Sequence, residues 1–134
     1  MDCYIYTSFM TFNYTHNQLV KLMDSFKDIN KIHDITGVLL YSDGNVIQFF
    51  EGPIEKTKQL YDNILNDTRH TKIIKMLHQK IESRNLPEWY MMNNMSEQWD
   101  NLNFLETLSI DNFKIKLLLD TFKKTCKCRI KINC

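Results

Sequence analysis

Glycine and proline are scarce, three and two respectively in 134 residues, and no Ser-, Gln- or Gly-rich tract or internal repeat interrupts the chain. That leaves little room for a flexible linker and argues against a disordered or stacked-repeat protein. The first residues, Met1-Asp2-Cys3-Tyr4-Ile5-Tyr6, lack the basic start and apolar stretch of a secretion signal. No run approaches the roughly 18 apolar residues of a membrane span, so a cytoplasmic protein with no membrane contact is expected. Cysteine is sparse and lopsided: Cys3 stands alone, while Cys126, Cys128 and Cys134 crowd the end. This is no framework for stapling a secreted core, and reduced thiols are the simpler reading. A lone Cys-x-Cys, with histidines scattered at 16, 33, 70 and 78, shows no metal-ligand spacing. Charge of one sign is missing too. A net charge of +1 argues against a general nucleic-acid binder, whose affinity rests on neutralising many phosphates.

What is present suits one domain able to bury a sizeable core, with 43% hydrophobic and 25% charged residues. The basic residues are unevenly placed: Lys114, Lys116, Lys123, Lys124, Lys127, Arg129 and Lys131 stand against only Asp111 and Asp120 after residue 110. A solvated helix face and tail explains this, with a docking site for an acidic partner as the alternative.

Residues 3–9 are aromatic and β-branched and predict a strand. Thr15 followed by Gln18 fits a capping box, after which Leu19, Leu22, Met23, Phe26 and Ile29 recur at helical spacing up to Asn30. Residues 36–41 and 46–50 are apolar runs around Asp43-Gly44, a strong hairpin signal. Gly52-Pro53 ends that pair, and Pro53 suits the first turn of a helix carrying Ile54, Leu60, Tyr61, Ile64 and Leu65. Residues 72–81 predict a further strand and 90–93 a short fifth one. The order βαββαβ implies an α+β, ferredoxin-like sheet with two helices on one face. A C-terminal helical pair is expected over 97–108 and 111–124, with Asp111 as N-cap.

Several residues stand out, each with an ordinary explanation. Gln48 shares a strand face with Val46 and Phe50, so its amide points into an apolar layer and needs a partner in backbone, side chain or ligand. Tyr6 reads as a core tyrosine, Asn30 as the end of the first helix, and Arg69-His70 as part of a solvated polar turn. Trp89 and Met91 read as packing.

Taken together these residues resemble the BLUF family. Tyr6-Thr7-Ser8 is similar to its Tyr-x-Ser, and Asn30 followed by Ile35-Thr36-Gly37-Val38-Leu39-Leu40-Tyr41 to its Asn-x4-Ile-Thr-Gly-x-Leu-Leu-Tyr. Gln48-Phe49-Phe50-Glu51-Gly52-Pro53 resembles Gln-x-Leu-Glu-Gly-Pro, Asp67-Thr68-Arg69-His70 resembles Asp-x-Arg-His, and Trp89-Tyr90-Met91 resembles Trp-x-Met. Ile29 stands where many relatives carry Asn or His, and Phe50 replaces the usual Leu.

The resemblance implies a blue-light sensor domain over residues 1–95, output helices over 96–125 and a Cys/Lys tail over 126–134. It implies FAD between the two helices, with Asn30 bonding the polar edge of the ring and Arg69 and His70 near its carbonyl side. Tyr6 and Gln48 would form a hydrogen-bonded chain to the flavin. Light would drive electron and proton transfer from Tyr6, leaving Gln48 rotated or tautomerised, and Trp89 and Met91 would relay the change. No substrate is turned over on this reading. Output would pass by contact to an unidentified signalling partner or through a homo-oligomer. The rivals are an acylphosphatase-like hydrolase, which lacks its glycine-supported phosphate loop here, and a flavin-free ferredoxin-like interaction module.

Overall fold

A computed structural model describes residues 1–12 and 14–93. The aromatic and β-branched start forms β1 (Asp2–Met10). α1 (His16–Ile32) opens with the expected capping box: the Gln18 N–H donates to Thr15 Oγ1 at 3.2 Å, and the Thr15 N–H donates to Gln18 Oε1 at 2.9 Å. Two donors left unpaired at any helix start are thereby satisfied. The helix runs past Asn30, which lies inside its last turn, and closes at His33, whose N–H returns to the Ile29 carbonyl.

β2 (Thr36–Ser42) and β3 (Asn45–Gly52) are joined by Asp43 and Gly44 at φ 47° and 92°. Both central residues are left-handed, as a two-residue hairpin matched to strand twist requires. A side chain at Gly44 would also come within 2.8 Å of the Phe9 ring. Pro53, fixed near φ −56°, precedes α2 (Ile54–Asn66). β4 (His70–Lys80) begins earlier than the predicted 72–81 and carries register shifts against β1, with Lys72 at φ 55°. His70 therefore pairs with Met10 on the sheet instead of sitting in a solvated turn. β5 (Trp89–Asn93) is the fifth strand.

The sheet order is β4-β1-β3-β2-β5, all neighbours antiparallel except β2 and β5. The first four strands have the ferredoxin-like arrangement. Leu19 and Met23 of α1 and Ile64 of α2 pack in one cluster with Tyr4, Tyr6, Leu39, Val46, Phe50 and Trp89, so both helices cover one face. The other face carries Cys3, Ile5, Val38, Leu40, Ile47 and Phe49, all buried. Gly37 leaves no room for a side chain: a Cβ there would lie 2.1 Å from the Phe49 carbonyl oxygen. The helical pair expected after residue 96 and the cysteine-bearing tail lie outside the described residues. No helix among the described residues is long and apolar enough to cross a membrane.

Candidate functional site

Where α1 and α2 splay apart above the sheet they leave a cavity of about 240 Å³, a volume on the scale of one flat ring system. Its walls are apolar: Leu19, Met23, Phe26 and Ile29 from α1, and Leu60 and Ile64 from α2. Its floor is a row across the sheet. Tyr6 on β1 faces Gln48 on β3, Gln48 faces Leu39 on β2, and Leu39 faces Met91 on β5. Equivalent positions on paired strands share a face, so four side chains line up beneath the cavity.

The Tyr6 hydroxyl donates to Gln48 Oε1, and both residues are buried. Burial, with smaller contributions from Asp67 and Tyr61, pushes the Tyr6 phenol well above the usual tyrosine range, so it stands as a neutral donor. With its oxygen accepting from Tyr6, the Gln48 amide has its nitrogen free of partners among the described residues. Asn30, 4% exposed, borders the same cavity, and its side chain likewise has no partner there. Its backbone carbonyl accepts from the Ile35 N–H at 2.9 Å. Buried amides are nearly always hydrogen-bonded, so two such groups beside one cavity are matched to a ligand with a polar edge.

Arg69 closes one side. Its Nε donates to both Asp67 carboxylate oxygens at 3.0 Å, its Nη2 donates to Oδ2, and the guanidinium carbon lies 5.3 Å from the centre of the Phe26 ring. The pair holds the Asp67 carboxyl below the usual carboxylate range. His70 also borders the cavity, but both ring nitrogens are occupied, Nε2 with the Ile64 carbonyl at 2.6 Å and Nδ1 with Ser8 Oγ at 3.0 Å. A carbonyl can only accept, so Nε2 carries a proton.

Tyr6, Asn30, Gln48, Arg69, His70 and Met91 are thus brought to one cavity. Trp89 is not part of its lining; it lies in the adjoining core with its indole N–H buried and unpartnered among the described residues. Sequence reasoning gave no role to Asn63 and Asp67, which also line the site. Asp67 opens the Asp67-Thr68-Arg69-His70 motif, whereas Asn63 is a lone polar residue within the apolar Leu60–Ile64 stripe. A planar, apolar-bodied group with a polar rim fits these walls and these unpaired amides, as a flavin ring would.

Residues 1–92 match the family model of BLUF, described as sensors of blue-light using FAD. This chain belongs to the BLUF family. It is accordingly a flavin-binding blue-light sensor. The chain is 40% identical over 48 residues to the blue light- and temperature-regulated antirepressor BluF of Escherichia coli (strain K12), covering 36% of this chain and 12% of that protein. It is 34% identical over 64 residues to the photoactivated adenylate cyclase subunit beta of Euglena longa, covering 48% of this chain and 7% of that one. The chain therefore spans a small part of the curated relatives it matches. Among solved structures, the dark state of the BLUF protein BlrB superposes with a TM-score of 0.69 at 25% identity, covering 88% of this chain and 90% of that one. A bacterial light-regulated adenylyl cyclase matches with a TM-score of 0.64 at 29% identity, covering 98% of this chain and 36% of that one.

Proposed function

We propose that this BLUF protein senses blue light with FAD as its flavin, that Tyr6 and Gln48 are the photoactive pair, and that the response leaves through β5 to a separate signalling protein. What supports this is the Tyr6 hydroxyl bonded to Gln48 Oε1 on the floor of a cavity where the Gln48 amide nitrogen and the Asn30 side chain have no partner among the described residues. Bound flavin supplies blue absorption and, once excited, a one-electron oxidant. Tyr6, neutral and buried, is the oxidisable phenol, and its proton has one path along the hydrogen bond to Gln48 Oε1.

Gln48 then settles with its amide rotated or tautomerised, so that a donor stands where an acceptor stood. Along the same cross-strand row lie Leu39 and Met91, with Trp89 two residues before Met91, and Trp89 and Met91 re-pair in response. Asn30 would hold the polar edge of the ring, and Arg69 Nη1, without a hydrogen-bond partner among the described residues, would serve its carbonyl side. His70, with both nitrogens engaged, would border the ring without hydrogen-bonding it. The chain itself turns over no substrate on this reading. It works in the cytoplasm by light-dependent contact, with a homo-oligomer as the second form that contact takes.

The deciding experiment is an absorption spectrum of the purified protein in darkness, under blue light and during recovery. A flavin spectrum that shifts to the red and relaxes back is expected. A colourless protein that takes up no added FAD would overturn the reading and leave the flavin-free interaction module.

A further inference from the structure

Among the described residues β5 is a five-residue edge strand, paired on one side only and parallel to β2. Short, one-sided parallel pairing holds a strand weakly. The residues that feed it, 81–88, have no regular secondary structure. Beyond core packing and this ladder, the approach through residues 81–88 bears on where Trp89 and Met91 sit relative to Gln48.

Glu51 holds that approach from the opposite face of the sheet. It lies on β3 three residues beyond Gln48, so its side chain points away from the cavity, and it is 0% exposed. Its Oε1 accepts from the backbone N–H groups of Asn85 and Leu86, both at 2.6 Å, and its Oε2 accepts from Asn85 Nδ2 at 2.9 Å. Leu86, which follows, is fully buried. Arg84 adds a second tie, donating to Thr36 Oγ1 at 2.9 Å on β2 and to the Asp34 carbonyl at 2.8 Å. Gly37 N–H then meets the Glu88 carbonyl at 3.1 Å, and the β2–β5 ladder begins.

We infer that Glu51 is a positioning residue for the light response: by clamping the Asn85–Leu86 backbone it holds the strand bearing Trp89 and Met91 in register with Gln48. This rests on the reading of Gln48 as the responding amide. Burial pushes the Glu51 carboxyl up, while the bonds from Leu86 and Asn85 and the charge of Arg84 pull it down. Among the described residues three donors converge on it and no acceptor does; a carboxylate can accept from all three, whereas an amide of the same shape keeps a single acceptor oxygen. In the Glu51→Gln variant the introduced NH2 group would meet the Asn85 NH2 group, donor against donor. Glu51 does not line the cavity and makes no contact with the Tyr6–Gln48 hydrogen bond.

The test compares wild type, Glu51→Gln and Glu51→Ala, each loaded with FAD and also flavin-free. Three quantities are measured: amide hydrogen exchange strand by strand, FAD affinity, and dark-recovery rate after blue light. In Glu51→Gln the amides of residues 86–91 are expected to exchange about tenfold faster, the scale of one lost charge-assisted bond, with β1 and β3 unchanged. FAD affinity should hold while the recovery rate changes several-fold. Unchanged exchange in β5 overturns the clamp; acceleration of every strand together, or faster β5 exchange with an unaltered recovery rate, makes Glu51 merely structural and overturns it as well. If Glu51→Ala fails to fold, the isosteric Gln variant decides. If the chain binds no flavin, the photoreceptor reading fails by that fact, and exchange in the flavin-free protein still confirms or refutes the clamp.

Discussion

Tyr6 and Gln48 are partners twice over: their Cα atoms face each other across β1 and β3, and the Tyr6 hydroxyl donates to the Gln48 side-chain oxygen. The sheet register that buries both residues also holds them in contact. Neither can turn without leaving a buried polar atom unpaired, unless a ligand in the cavity takes its place.

Removing the donor should separate binding from response. Tyr6→Phe is expected to bind FAD with near wild-type affinity and to show no red-shifted state under blue light. Gln48→Leu should likewise keep its flavin and lose the shift. A normal photocycle in either variant, followed by difference absorption, would refute the assigned pair.

The same pair makes a stability prediction. In flavin-free protein each single variant leaves the other partner buried without a bond, costing about 1–3 kcal/mol. The double variant removes both polar groups together and should cost about 1–2 kcal/mol less than the sum of the singles. Urea melts of the four proteins measure this, and strict additivity would mean the hydrogen bond carries no coupling.

Asn30→Ala should weaken FAD binding by roughly three- to tenfold, the worth of one hydrogen bond. The Asn30 amide has no partner among the described residues, so the melting temperature of the flavin-free protein should stay level or rise. Fluorescence titration and a thermal melt separate the two effects. A fall in apo stability with unchanged affinity would make Asn30 a helix residue and nothing more.

The Asp67–Arg69 pair predicts a pH dependence. The folded carboxyl is held below its ordinary value, chiefly by the hydrogen bond from Arg69, so its stabilisation is fully present above the unfolded carboxylate pKa of about 3.9. It is lost as pH falls through the lower folded value. Asp67 and Arg69 side chains are 27% and 40% exposed, which limits the effect to about 0.3–1 kcal/mol. Asp67→Asn should lower stability by that amount at neutral pH and flatten the acid limb, as read from denaturant melts between neutrality and mild acid.

Much of this protein was determined by the sequence alone, wherever the controlling physics is local. Thr15 and Gln18 sit three apart because a capping box closes over three residues. Asp43-Gly44 states a two-residue hairpin because both positions must take positive φ. Alternation puts Gln48 beside Val46 and Phe50, and the ordered motifs from Tyr6 to Met91 name the family. Only the tertiary structure decided what depends on distant partners. That Tyr6 meets Gln48 follows from the pairing of strands 42 residues apart. His70 joins β4 because Met10 pairs with it, β5 lies parallel beside β2, and Glu51 reaches Asn85 and Leu86, 34 and 35 residues away. None of these contacts leaves a period or a spacing in the chain, because each is set by where two separate segments come to rest, and only packing the sheet against its helices brings them together.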